Sequence, residues 1–449
     1  MEDIEDYRSK LREIADYSFN YGFKKYKIAH PDFLEIGFTN DFHIACAEGF
    51  KIAQKLLICE VMTYQDLFSK KNIELKEVRR RRNLASEKII KKEIRDVEQR
   101  LHNYYHIADG IAWQLLGCQI HVARRLNIGQ RANKILNSSN IASSIKVADK
   151  INEAQNSFAL ISDLTSFVQI GDLLVRSDNK ISIIELKEGK INKEIKDYLN
   201  DFESTSNEIS EDDLKSRFDT NTVKQVQRIQ RQNKRAERAI DVINNDKGVD
   251  PRSEKQIFVH TPKINTVNYH DVLRKLHVEI KEKIWAYNVV DNCLHIGMYR
   301  DEGRMMAPFA IRNILKAQTS NFFVVDFLSI TNNLSEPIFA KPFPPDFIID
   351  ILTERVKIIL GLNVDSMIEL FNSCGLSTRL LTPKETAIIN QKSKGSQLTM
   401  INKRGIAIKS KLGKDMTLSG GIFSKIFFDS ILPSNIAQTF LSIDYDKEL

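Results

Sequence analysis

The sequence predicts an α/β protein in three parts: a helical region over residues 1–104, a central α/β region over 105–300 and a further α/β region over 301–449. Three observations lead there. Up to about residue 126, apolar residues recur at three- and four-residue steps, as in Leu11, Ile14 and Ala15, then Ala45, Phe50, Ala53, Leu56 and Leu57, the period of helices with one buried face. Past residue 160, short apolar runs bounded by turn residues take over at 167–175, 181–187 and 256–260, which is how strands read. Finally, 449 residues exceed what one core ordinarily organises.

Composition supports a folded chain, with 42% apolar and 28% charged residues, near globular averages and far from disorder. No apolar stretch approaches the roughly 20 residues of a membrane span, and the first six residues are acidic where a secretory leader is basic and then apolar. A cytoplasmic protein with no membrane partner is the expectation. Five cysteines, at 46, 59, 118, 293 and 374, are odd in number and form no C-x-x-C pair, so they read as reduced structural thiols and not as a zinc ribbon. A net charge of +7 suits a polyanionic partner.

Taken in order, residues 70–105 read as one long polar helix carrying Arg79 to Arg82. Four consecutive arginines point all round a helix, so they form no single face; a solvated helix and a phosphate-contacting arm both remain open. His102 and His106 share a helix face but lack the intervening glutamate of a zinc protease. Trp113 and Trp285 read as core residues. Residues 201–221 are acidic and without apolar period, an exposed insertion or a lid that screens a basic cleft. Farther on, 321–327 reads as a buried strand, and Pro345 opens a helix with Phe347, Ile348, Ile351 and Leu352. Residues 398–401 and 405–408, joined by Asn402-Lys403-Arg404, read as a basic hairpin. There is no Walker loop for a triphosphate and no G-x-S-x-G elbow.

The segment that carries chemistry runs from Gly171 to Lys187. Two apolar runs flank Ser177-Asp178-Asn179-Lys180, a tight-turn signal because Asp and Asn tolerate positive φ. With Asp178 and Asn179 as the loop, Ser177 faces Lys180, Leu174 faces Ile183 and Asp172 faces Glu185. Opposed residues share a face with Cβ atoms about 4.5–5.5 Å apart, and two carboxylates so placed repel unless a cation lies between them. Their oxygens suit Mg²⁺. The period of two puts Lys187 on the face of Glu185, with Ile184 and Leu186 on the other. Such a group suits phosphodiester hydrolysis: the metal lowers the pKa of a bound water, and Lys187 orients that water and offsets developing charge.

Gly171-Asp172, a short hairpin and Glu185-Leu186-Lys187 together resemble the signature of the PD-(D/E)XK nuclease superfamily, the restriction-endonuclease-like nucleases, over residues 105–300. The resemblance implies a mixed-sheet core flanked by helices. It also implies Mg²⁺ or Mn²⁺ held by Asp172, Glu185 and the Leu186 carbonyl, with Gly171 standing where the family has proline. An acidic residue on the helix before the sheet maps onto Asp109, with Glu98 and Glu153 as rivals, and a glutamine on the helix after it maps onto Gln225. DNA is favoured over RNA because the superfamily mostly cuts DNA. Restriction or defence against foreign DNA follows by analogy, and recombination or repair is equally compatible.

A second signal is independent of the first. Lys224, Arg228, Arg231, Arg235 and Arg238 are spaced 4, 3, 4 and 3 residues apart, one stripe of a helix whose other side would carry Val226, Ile229, Ala236 and Ile240 to the sheet. A row of cations suits backbone phosphates; a solvated face paired with acidic neighbours is the alternative. Two other functions stay open: a non-catalytic nucleic-acid-binding protein, and a structural or signalling subunit. The helical or C-terminal region is where a second copy or partner subunit would dock.

Overall fold

The helical period becomes helix over most of the first 126 residues: α1 (Ile4–Phe19), α2 (Tyr21–Ala29), the short α3 (Phe33–Ile36), α4 (Asn40–Arg80), α5 (Leu84–Leu115) and α6 (Ile120–Leu126). The computed structural model describes residues 3–127, 141–177, 180–186, 195, 214, 217–245, 247–251, 254, 256–258, 264–329, 334–392, 399–409, 415–418 and 420–442. The chain divides into two compact units, Met1–Val259 and His260–Leu449. Strands at 285–300, grouped by sequence with the central region, therefore belong to the second unit. Among the described residues no helix is long and apolar enough to cross a membrane.

In the first unit α4 and α5 pack as a helical hairpin through Ala53, Leu57 and Val61 on one side and Val97, Tyr104, Ile107 and Ile111 on the other, all buried. The single helix expected over 70–105 is thus two. Arg82 adopts a left-handed φ of 55°, and the Asn83 side chain accepts the Ser86 N–H at 3.1 Å, capping the first turn of α5. Arginine is a good helix former, so the break is invisible to propensity; the arginine tract straddles the turn.

After α7 (Ile141–Asn152) come β1 (Ser157–Ile161), β2 (Leu173–Ser177) and β3 (Lys180–Ile184), a sheet of order β1-β2-β3. Sequence reading missed β1 and began β2 too early. Both pairings are antiparallel, where the family resemblance implies a mixed sheet. The two-residue link between β2 and β3 permits only antiparallel pairing. The outer edge of β1 is closed by side chains: buried Gln54 of α4 accepts the Ile161 N–H at 2.9 Å and donates to the Ala159 carbonyl at 3.0 Å, and Asn152 accepts the Ala159 N–H at 2.8 Å. Backbone groups that would template a further strand are thereby satisfied.

Next comes α8 (Thr220–Asn245), which packs against α6, β3 and β4 (Lys247–Val249). Strand β4 pairs with β5 (Gln256–Phe258) and not with the three-stranded sheet. Val223, Val226 and Ile229 of α8 are buried with Ile195 and Leu214, as are Ala239 and Val242 farther along. Ala236 and Ile240, expected inside, are half-buried. Most of the acidic insertion, residues 201–213, lies outside the described residues.

The second unit is built on an antiparallel sheet of order β6-β7-β9-β8: β6 (Trp285–Val290), β7 (Leu294–Arg300), β8 (Phe322–Asp326) and β9 (Val356–Asn363). One face, through Leu294, Ile296, Met298, Ile358, Leu360 and Leu362, packs into the main apolar core. The other takes helix Gly303–Lys316 through Ala307, Ile311 and Leu315. Trp113 is buried, but Trp285 is 53% exposed, because β6 is an edge strand. Strand β8, also an edge, is half-buried throughout. Pro345 opens helix Pro345–Leu352 as predicted. In the small sheet of β10 (Ser377–Leu380), β11 (Met400–Ile401), β12 (Arg404–Lys409) and β13 (Asp415–Thr417), β11 and β12 form the expected hairpin, turning on Asn402 and Lys403, both at positive φ, with Arg404 paired in β12 and Leu398 outside the described residues.

Candidate functional site

Turn chemistry sets the register of β2 and β3, and the register sets the site. Ser177 pairs with Lys180, Leu174 with Ile183 and Leu173 with Ile184, the alignment that an Asp178-Asn179 loop dictates. Asp172 and Glu185 occupy the next position beyond the last regular pair. There the ladder loosens: the Asp172 N–H donates to the Ile184 carbonyl at 2.8 Å, and the Asp172 carbonyl accepts from Ser162 N–H at 2.9 Å. Asp172 Oδ2 accepts the Leu186 N–H at 2.6 Å, a charge-assisted bond that holds the Glu185-Leu186 peptide at the hairpin mouth.

Gly171 explains why no proline precedes this aspartate. Its φ is +75°, and a Cβ there would meet Ile183 Cγ2 at 2.2 Å. Proline is locked near −65°, and any side chain would displace Ile183. Asp172, Glu185 and Leu186 are all half-buried. Lys187, the expected ammonium of the site, lies outside the described residues.

Asp109 sits on α5 between buried Ile107 and Ile111 and is itself 6% exposed. Its Oδ1 accepts the Ser166 N–H at 2.7 Å and its Oδ2 the Ser166 hydroxyl at 2.6 Å. Burial, opposed by those two bonds, pushes its pKa up to about 7. Both oxygens are engaged with the β1–β2 connection, so Asp109 positions that connection. The same segment is tied again where Thr165 donates twice to the Ser162 carbonyl, next to the Ser162 N–H that holds Asp172. The rivals Glu98 and Glu153 are exposed.

Gln225 is half-buried on α8 beside Val226, on the helix that packs against β3. Along the same helix Lys224, Arg228, Arg231 and Arg235 are exposed, and among the described residues no carboxylate pairs with them. Arg238 departs from the stripe: it is half-buried and bonded to Glu254 at 3.0 Å. His102 is exposed and edge-on to Tyr105, and His106 is half-buried. All five cysteines are free thiols.

No protein-family model, curated protein or solved structure matches this chain. What the site can do follows from its own residues. Among the described residues no three His, Cys, Asp or Glu side chains gather as a metal cage. Two carboxylates and a neighbouring carbonyl are a smaller, all-oxygen set, of the kind that suits Mg²⁺, which keeps several waters and binds one or two carboxylates.

Sequence reading missed Arg176 on β2, which lines a cavity with Phe158 of its partner strand. The period of two would have put Arg176 on the face of Asp172 and Leu174, but nothing local marks a cavity assembled from α4, α5 and β1.

Proposed function

We propose that this chain is a metal-dependent nuclease with a restriction-endonuclease-like core, hydrolysing phosphodiester bonds in nucleic acid, DNA before RNA. The observation that carries the proposal is the hairpin mouth: two carboxylates just beyond the last β2–β3 pair, one of them fixing the peptide between Glu185 and Leu186. Asp172, Glu185 and the Leu186 carbonyl would hold Mg²⁺ or Mn²⁺, which supplies a polarised phosphoryl oxygen and a bound water of lowered pKa. Lys187 would offset charge developing on the phosphoryl oxygens. Asp109, through Ser166, keeps the connection into β2 in place. Exposed Lys224, Arg228, Arg231 and Arg235 would track the phosphate backbone. Restriction or defence against foreign DNA is the role we assign, by analogy with the resembled superfamily.

The exposed cations of α8 also favour a second reading, in which the chain binds nucleic acid without cutting it. Incubating the full-length chain with linear, closed circular and single-stranded DNA and with RNA, in Mg²⁺ or Mn²⁺ or in a chelator, separates the two. The proposal expects cleavage that stops in chelator and falls at least about a hundredfold in Glu185→Gln, as removal of a transition-state contact does. Binding with no cleavage by the wild-type chain would leave only the second reading.

A further inference from the structure

The arginine tract has no part in the site at the mouth of β2 and β3. Residues 70–95 hold eleven lysines and arginines against four glutamates. That surplus of seven equals the net charge of the whole chain, +7, so the rest of the sequence sums to neutrality and the pull on a polyanion is concentrated here. The turn at Arg82 decides how the charge is displayed. On one continuous helix the arginines would radiate to all sides. With α4 ending at Arg80 and α5 starting at Leu84, Arg80, Arg81 and Arg82 gather at the tip of a helical hairpin.

The end of that hairpin is packed on itself. Tyr7 of α1 meets Tyr64 of α4 and Tyr104 of α5. Beyond that level lies a separate buried cluster of Leu75, Ile90 and Ile94, with Phe68 and Val78 against it, supplied by α4 and α5 alone. From Tyr64 to Arg80 the helix rises about 24 Å. Three of the four glutamates are committed within this stretch: Glu87 takes Arg79 and Lys91, and Glu74 and Glu93 both take Lys71. Arg80, Arg81, Arg82, Lys88, Lys92 and Arg95 are exposed, and among the described residues none of them pairs with a carboxylate. Lys88, Lys92 and Arg95 form one stripe of α5.

We infer that the end of the α4–α5 hairpin is a basic finger that grips the phosphate backbone of a nucleic-acid duplex, away from Asp172 and Glu185 and without regard to sequence. Arginine forks match phosphate oxygens. Residues 70–95 contain no aromatic side chain on which unpaired bases would stack, which favours a duplex over a single strand. An anionic lipid surface takes an apolar helix face, and here the apolar faces of the two helices are turned on each other. Exposed Leu84 and Ile89 do not share a side of α5. From Asn83 to Asp109, which holds the connection leading to Asp172, α5 rises about 39 Å, a little over one turn of B-form DNA. The inference rests on the reading of the chain as a nucleic-acid protein, and not on its cutting.

Fluorescence anisotropy of the full-length Glu185→Gln chain in chelator tests this, with a duplex of about 30 base pairs, roughly 100 Å long, across a salt series. Neither metal nor cleavage enters, so failure of the nuclease reading and failure of this inference show in different assays. Arg80→Gln/Arg81→Gln and, on the other helix, Lys88→Gln/Lys92→Gln each reduce the slope of log affinity against log salt by roughly 1–2 and weaken binding at least about tenfold at about 0.1 M salt. Arg80→Lys/Arg81→Lys keeps the slope. All four positions are exposed, and the second pair keeps the test decisive should the first disturb its helix. A duplex bound with unchanged slope and affinity by both glutamine pairs overturns the inference and leaves the cations of α8 as the contact. A parent chain that binds no duplex overturns it too. So do phosphatidylserine vesicles whose binding, at the same salt, is lost in the glutamine pairs while duplex binding is intact.

Discussion

Two hairpins in this chain are built on the same dipeptide and end in opposite ways. The β2–β3 hairpin has Asp178-Asn179 between Ser177 and Lys180, and the β6–β7 hairpin has the three residues Asp291-Asn292-Cys293 between Val290 and Leu294. Asp291 and Asn292 both adopt positive φ, which these side chains tolerate better than most. Away from its turn the β6–β7 hairpin ends on an aromatic pair, Trp285 with Tyr299, with no acid at its last position. The β2–β3 hairpin instead runs into Gly171-Asp172 and Glu185-Leu186. Both sequences turn on Asp-Asn, and the two hairpins differ at their mouths, where one ends on aromatic residues and the other on two acids. A break in local consistency, here two acids where apolar residues are expected, is where function is to be sought.

The strongest way to break that comparison is to alter both mouths. Tyr299 is 4% exposed and packs with Ala307, Ile311 and Leu315, so Tyr299→Ala should cost about 3–5 kcal/mol by leaving a cavity, read as a lowered urea midpoint of the second unit. Glu185→Gln should leave the urea midpoint of the first unit within measurement error while cleavage falls at least about a hundredfold, ~2.7 kcal/mol of activation free energy. A Glu185→Gln chain that unfolds early would show that the β2–β3 mouth is also a packing element.

Gly171→Ala sharpens the same point. The new Cβ needs a left-handed φ and overlaps Ile183, so about 2–4 kcal/mol of stability should go, from backbone strain and overpacking together. Asp172→Asn, which weakens one charge-assisted bond to Leu186, should cost only about 1 kcal/mol. Equal losses from the two, measured by urea denaturation, would mean that the glycine is not what shapes the mouth.

Asp109 gives a pH signature. Its folded pKa of about 7 stands above the roughly 3.9 of an unfolded aspartate, so between those values the folded chain holds more proton than the unfolded one. Stability therefore falls as pH rises from about 4 to about 7 and is level above that. Asp109→Asn can still bond Ser166 but has no proton to lose, so its stability should lack this decline. Urea midpoints of both chains from pH 5 to pH 8 check it; parallel profiles would refute the assignment.

How much of this was legible varies by element for physical reasons. The β2–β3 register was readable because a tight turn propagates its alignment along both strands. Strand β1 was not, because Phe158, Ala159, Leu160 and Ile161 are all buried, and a short apolar run has no period to separate strand from helix. Trp285 read as core because strand order, which leaves β6 at an edge, is not written locally. Asp109 was flagged by its place on an apolar stripe, but Ser166, 57 residues away, could come only from the fold. The arginine tract concealed a turn because its residues favour helix.

The smallest effects should come from α8. Each exposed cation that meets a phosphate releases a counterion, so Arg228→Ala or Arg231→Ala should reduce the slope of log affinity against log salt by roughly 0.7–0.9. Arg238 belonged to the same stripe by spacing but is bonded to Glu254. Arg238→Ala should leave the slope unchanged and cost at most about 1 kcal/mol of stability, as partly exposed ion pairs do. Fluorescence anisotropy with a duplex oligonucleotide in chelator, across a salt series, measures all three without cleavage. A slope that drops equally for Arg238→Ala would return that residue to the phosphate-binding face and make Glu254 its resting partner.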